Sequence, residues 1–434
     1  MKKFFAWVCA MLLAFQIAAC GSWPSNAPQA GNISIDSGQD EVSLTLWTYP
    51  VGNWGESATV ANLVGRFHNE YPNIHVSVKH LQYSDGDSMI EDAIAKGQAP
   101  DLVFEGPERL VANWGEKGLM ADLSDLWEKE PSSQIYDFAR NACQHKNGEY
   151  YEYPVCMSTH CMAINYEMFQ EAGALQYINE ETHTWTTEGF VLAVQALAEH
   201  GQEQVGAVYC KNQGGDQGTR ALVNNLYGGK FTDGTQTGYA VDSQENIKAL
   251  NLLYGLEGIR FDPEMEGADE VSQFINGDLA MAFCWNSSLE ISQTLAYPKR
   301  SFDIFPMAFP SEDGKPVLQG GIWGFGVFDN GDAAKVEAAK TFISFMAMEN
   351  EPYKRSVWAS MNWPVREMGD LYANDALMTE YGIFNQYQGD YYQLTSGWAD
   401  ARKAWWEMLQ KVGGGMAPRQ AVKEFSDTVG KSTG

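Results

Sequence analysis

The sequence predicts an α/β protein built in two lobes, and three features predict it. The chain has 434 residues, more than one hydrophobic core usually organises. Short apolar runs alternate with helical patterns over residues 42–104, and a similar alternation resumes from residue 153. Apolar residues make up 44% and charged residues 20% of the chain, the balance of a globular protein rather than a disordered one.

The N-terminus reads as an export signal. Lys2 and Lys3 precede an apolar run over residues 4–13 that continues, broken by Gln16, to Ala19. The run is short for a bilayer span of ~20 residues. At its end Ile17-Ala18-Ala19-Cys20-Gly21 is similar to a lipobox, which implies cleavage after residue 19 and a lipid on Cys20. Residues 20–41 then read as the lipidated cysteine and a flexible tether, rich in Gly, Ser, Pro, Asn and Asp with too few apolar positions to bury. The expected location is extracytoplasmic, held to the cell membrane by the lipid alone.

After the tether, Leu44 and Leu46 alternate through a strand ending at Trp47, and Val60, Leu63, Val64 and Phe67 share one helical face stopped by Pro72. Ile74, Val76 and Val78 form a second strand, Met89, Ile90, Ala93 and Ile94 a second helix, and residues 102–104 a fully apolar third strand. This order argues for a parallel sheet covered on both faces. Ligands in such sheets sit beyond the carboxyl ends of the strands. Further along, a strand runs through Ala163 and Ile164, helices carry Phe190, Val194 and Leu197 and then Ile247, Leu250 and Leu253, and strands follow at 279–283, 301–305 and 324–328. From residue 338 the chain is mostly helical.

The formal net charge is -27, and loss of residues 1–19 with Lys2 and Lys3 makes it -29. Such a field repels nucleic acid and anionic lipid. Beyond Cys9 and Cys20, the cysteines are Cys143, Cys156, Cys161, Cys210 and Cys284, an odd, scattered set that implies no disulfide framework. One pair, Cys156 with Cys161 or Cys143, is open to closure in an oxidising compartment. No H-E-x-x-H or G-x-S-x-G occurs, and Phe425 stands where a phosphate loop ending at Gly430-Lys431-Ser432 needs its first glycine. His160 beside Cys156 and Cys161 fits no tight zinc spacing. No catalytic residue, metal or cofactor is expected.

Segments spread along the chain carry a resemblance. They are residues 67–74 (FHNEYPNI), 97–104 (GQAPDLVF) and 118–123 (GLMADL), Tyr153-Pro154, residues 274–283 and Gly320-Gly321-Ile322-Trp323-Gly324. In this order the chain resembles the bacterial extracellular solute-binding proteins of the maltose and multiple-sugar-binding family. The resemblance implies a periplasmic-binding-protein-like fold with a ligand cleft between lobes and hinge strands. Lobe one is expected at 42–154 and 297–347, and lobe two at 155–296 and 348–434. It also implies a monomer that captures a carbohydrate and delivers it to the transmembrane subunits of an ABC permease.

Sugars are held by aromatic faces and by planar amide, carboxylate and guanidinium groups. Trp47, Tyr49, Asn53 and Trp54 follow strand one, Tyr83, Asp85 and Asp87 follow strand two, and Glu105, Glu108 and Arg109 follow strand three. Trp47 reads equally as core, and Arg109 equally as a partner of Glu108, whereas Trp54 sits among Gly52, Asn53 and Gly55 where a loop exposes it. Lobe two offers Ser158, Gln213, Asp216, Trp285, Asn286 and Trp398, with Gly320, Gly321, Trp323, Trp363 and Arg366 from late segments. By resemblance Trp285 and Trp398 are stacking platforms, while Trp405 falls at core spacing. Glu105 and Ser158 depart from the pattern of maltodextrin readers, which argues against maltose itself. Two alternatives use the same residues: an organic cation such as a polyamine held by acids and rings, and a secreted glycan-cleaving enzyme with a carboxylate pair.

Overall fold

The computed structural model describes residues 41–432 apart from 84, 212–214, 236, 299 and 370. The signal, Cys20 and the tether lie outside the described residues. Among the described residues the strands are, in chain order, β1 (Val42–Thr48), β2 (Ile74–His80), β3 (Leu102–Glu105), β4 (Tyr153–Met157), β5 (Cys161–Asn165), β6 (Gly206–Lys211), β7 (Ile259–Glu266), β8 (Met281–Trp285), β9 (Ile304–Met307), β10 (Ile322–Val327) and β11 (Trp363–Pro364).

The first sheet has the order β11-β4-β10-β3-β1-β2. Leu44 and Leu46 turn into its core, and helix Ser57–Glu70 adds Val60, Leu63 and Phe67, all buried. β3 is buried along its whole length, as a central strand covered on both faces must be. The expected parallel order holds for β1, β2 and β3, and for β6 with β7 in a small second-lobe sheet. It fails at β10, which runs antiparallel between β3 and β4. The chain re-enters this sheet from the other lobe without a covering helix, so nothing imposes a parallel crossover. The remaining sheet, β8-β5-β9, is antiparallel.

Two hydrophobic cores result, and the crossings between them differ from the expected boundaries. β4 stays in the first sheet to Met157. Phe302, Ile304, Met307, Ala308 and Phe309 belong to the second core, because β9 pairs with β5. Tyr353, Val357, Ala359 and Val365 belong to the first core, because helix Asn350–Ser360 packs on the turn Gly52–Gly55, where the Trp54 indole N–H donates to the Ser356 carbonyl at 3.0 Å.

Three crossing segments are knitted together. The Ser158 N–H donates to the Gly321 carbonyl at 2.9 Å, His160 N–H to the Gln319 carbonyl at 2.8 Å, and Leu318 N–H to the Tyr387 carbonyl at 2.8 Å. A Cβ at Gly320 would stand 1.6 Å from the Ser158 carbonyl oxygen, so only glycine allows this approach. Cys143, Cys156, Cys161, Cys210 and Cys284 are buried free thiols, and the considered Cys156 pairings are not formed. Among the described residues no helix is long and apolar enough to cross a membrane.

Candidate binding cleft

The carboxyl ends of β1 and β3 bring one polar array together with the helix that follows β2. Glu105 ends β3, and the short helix Pro107–Arg109 places Arg109 one turn later, its guanidinium 2.8 Å from Glu105 Oε1 and 3.4 Å from Glu108 Oε1. The same guanidinium holds Asp87, in the first turn of helix Gly86–Ala95, through Nε at 2.7 Å and a second nitrogen at 3.1 Å. Tyr49 donates its hydroxyl to Asp87 and stacks on Tyr83 with centroids 5.3 Å apart. A Cβ at Gly86 would meet the Tyr49 ring at 2.7 Å, so a glycine start to the helix makes room for that ring. Tyr83 remains 44% exposed, yet desolvation raises its hydroxyl pKa well above the usual range. A ring in the wall of a cleft combines these properties.

A second array lies in the other lobe. Asp216 opens helix Asp216–Tyr227 and is clamped by Arg220 at 2.5 Å and by Arg402, whose Nε and terminal nitrogen reach its two oxygens at 2.7 and 2.8 Å. Arg220 also donates to the Tyr392 hydroxyl at 3.1 Å and covers the Trp398 ring at 4.9 Å.

Protonation follows from burial and pairing. Burial alone would raise the Asp216 carboxyl, but the charges of Arg220 and Arg402 hold it below the usual range. Burial would also raise Asp87, and the bonded Arg109, the Tyr49 hydroxyl and the charge of Arg402 reverse this. Glu105 is 1% exposed with Oε2 unpartnered. Burial lifts its carboxyl to about 8, with Glu108 and Asp87 adding to the rise against Arg109. One guanidinium facing three carboxylates leaves one acid to keep its proton, and the most buried one keeps it. His160 is pushed down to about 4 by burial, against the charge of Asp216, and is neutral at pH 7.

The geometry thus gathers Tyr49, Tyr83, Asp87, Glu105, Glu108, Arg109 and Asp216 and adds Arg220, Arg402, Tyr391 and Tyr392. Arg220, four residues after Asp216 on a helix, carried only that spacing as a signal.

Other expected contacts lie elsewhere. Trp54 is fully buried, stacked 4.2 Å from Phe104, because its turn folds under helix Asn350–Ser360. Trp285 is fully buried, its N–H on the Tyr381 hydroxyl at 2.6 Å and its ring edge-on to Phe274, which leaves no face for a sugar. Trp398 is 8% exposed beneath Arg220. Arg366 lies buried over the Tyr353 ring at 4.0 Å. The Ser158 hydroxyl accepts from Gly321 N–H at 3.3 Å, and the close approach at Gly320 is to Ser158 rather than to open cleft. Trp323 folds over Gly321, and Trp363 packs half-buried against both cores. Lys79 covers Trp47 at 3.7 Å. Asn286 caps helix Ser287–Ala296, Asn53 sits half-buried in the Gly52–Gly55 turn, and Asp85 is exposed outside the array. Gln213 lies outside the described residues. A cavity of about 630 Å³ is lined by both lobes and shares Arg220, Tyr391 and Tyr392 with the arrays but not Asp87, Glu105 or Arg109. The charged and aromatic groups, not the cavity volume, mark the candidate site.

Two α/β lobes joined by crossing segments, with a polar array in each, define a two-lobed binding-protein fold. The chain belongs to the bacterial extracellular solute-binding protein family, whose profile matches residues 52–349. These are binding proteins that act outside the cytoplasm. No curated protein matches the sequence. Solved structures share the fold. An ABC substrate-binding protein from Listeria monocytogenes in complex with cycloalternan is 21% identical with a TM-score of 0.69, over 90% of this chain and 99% of that one. A cyclic alpha-maltosyl-1,6-maltose binding protein from Arthrobacter globiformis is 17% identical with a TM-score of 0.73, over 91% and 99%. The GacH receptor of Streptomyces glaucescens, solved unliganded and with acarbose, is 16% identical with a TM-score of 0.72, over 91% and 99%.

Proposed function

We propose that this protein captures a neutral sugar or oligosaccharide between the Asp87–Arg109 and Asp216–Arg402 arrays, closes on it, and delivers it to an ABC permease, without cleaving it. The charge balance of the site carries this reading. Asp87, Glu108 and Asp216 are matched by Arg109, Arg220 and Arg402, and burial shifts Glu105 towards its neutral form. Such pre-paired planar groups suit hydroxyls, and the Tyr49–Tyr83 pair offers a ring face. A polyamine would need free carboxylates that the arginines already occupy. The sugar-bound relatives support the same class of ligand, and the family supports binding over glycan cleavage.

Calorimetry against linear and cyclic α-glucans, plant oligosaccharides and spermidine, at low and high salt, tests the reading. Sugar binding that barely changes with salt is expected; spermidine binding that falls steeply with salt, with no sugar response, would overturn it. The lipobox supports a lipid anchor on Cys20. Metabolic labelling with a fatty acid should mark the wild type and not Cys20→Ala, and equal labelling of both would remove the anchor from the account.

A further inference from the structure

The two arrays are tied by adjacent residues of one crossing segment. Tyr391 donates its hydroxyl to Glu108 Oε2 at 2.5 Å, and its ring lies in the first core. Tyr392 accepts from Arg220 Nε at 3.1 Å and packs on the second core, its ring stacked 5.4 Å from Phe231. The next residue, Gln393, donates to the Gly320 carbonyl at 3.1 Å, which fixes this segment to another crossing. A continuous path therefore runs from Asp87 through Arg109, Glu108 and Tyr391, over one peptide bond, to Tyr392, Arg220, Asp216 and Arg402. Arg402 also lowers the Asp87 carboxyl through its charge.

We infer that Tyr391 and Tyr392 are positioning residues that set the two arrays at the spacing a ligand meets, acting in series as one clasp between the lobes. A path in series breaks at its weakest link, so losing either hydroxyl releases the spacing and losing both adds nothing. Hydrogen bonds to charged partners are the strong ones, and both tyrosine bonds are of that kind. The inference rests on the cleft proposed above only for its effect on affinity; the clasp itself exists without ligand.

The test uses the full chain without sugar. Spin labels at Asp92 and Glu199, both exposed and on opposite lobes, report the distance between lobes in wild type, Tyr391→Phe, Tyr392→Phe and the double variant. Phenylalanine keeps each ring in its core, and melting temperatures verify the fold. The wild type is expected to give one narrow distribution, and each single variant a broadened one, with the double variant indistinguishable from either single. For any sugar that binds, each single variant is expected to weaken affinity about tenfold, again without further loss in the double. Single variants with the wild-type distribution, or a double variant whose broadening is the sum of the two, would overturn the clasp. Because the distances are read without ligand, a failure to find a sugar leaves this result standing.

Discussion

Four carboxylates and three guanidinium groups meet in the cleft, and the side chains around them separate into those that can hold a ligand and those that hold the fold. Tyr83 is exposed while Trp54 lies under a helix. Tyr83→Ala is therefore expected to weaken ligand binding by about 1–3 kcal/mol with the melting temperature of the free protein nearly unchanged. Trp54→Ala is expected to cost about 3–5 kcal/mol of stability; calorimetry and thermal melts distinguish the two. Buried acids add a pH dependence. Glu270, fully buried, accepts from Phe283 and Cys284 N–H at 2.6 and 2.9 Å, and burial raises its carboxyl to about 8 despite those bonds. The unfolded chain sheds this proton near pH ~4.5 while the folded chain keeps it, so the folded state binds more protons in between. Stability present below about pH 4.5 is thus lost as the pH rises towards about 8. Denaturant unfolding across that range should show the decline, with a shallower slope in Glu270→Gln; an unchanged slope would show that Glu270 is not the proton holder. Glu152, with both oxygens buried and unpartnered, and Glu105 act in the same direction.

At the scale of elements, the crossings carry the greatest structural constraint. Gly320→Ala is expected to destabilise the protein by about 3 kcal/mol, near the upper end of overpacking costs, because backbone rather than a movable side chain blocks the new methyl. A variant as stable as wild type in thermal melts would contradict that geometry. The first strands and helices were legible in the sequence because Leu44, Leu46, Val60, Leu63 and Phe67 keep one period throughout an element and turn into one core. The polar array after β1 to β3 was legible as a candidate site for the same reason: strand ends can be counted. Trp54 misled because flanking glycines suggest exposure, and Trp285 because a family resemblance carries a position and not its packing; burial depends on helix Asn350–Ser360 and on Tyr381, distant in sequence. The core membership of residues 302–309 and 353–365 likewise depends on partners that no local period reveals. Tyr391 and Tyr392 carried no signal, since their meaning lies in touching different lobes at consecutive positions.

For the whole molecule, a net charge of -27 opposes association with other polyanions, while in the cleft arginines pair Asp87, Glu108 and Asp216. Capture between two lobes requires that the ligand be held from both sides. The most direct measurement is the affinity of the tightest-binding sugar for wild type, for Tyr83→Ala in the first lobe and for Arg402→Ala in the second, read beside the melting temperature of each. The account predicts that either substitution weakens binding by about tenfold or more. An affinity untouched by one of the two would place the ligand on a single lobe and contradict capture across the cleft.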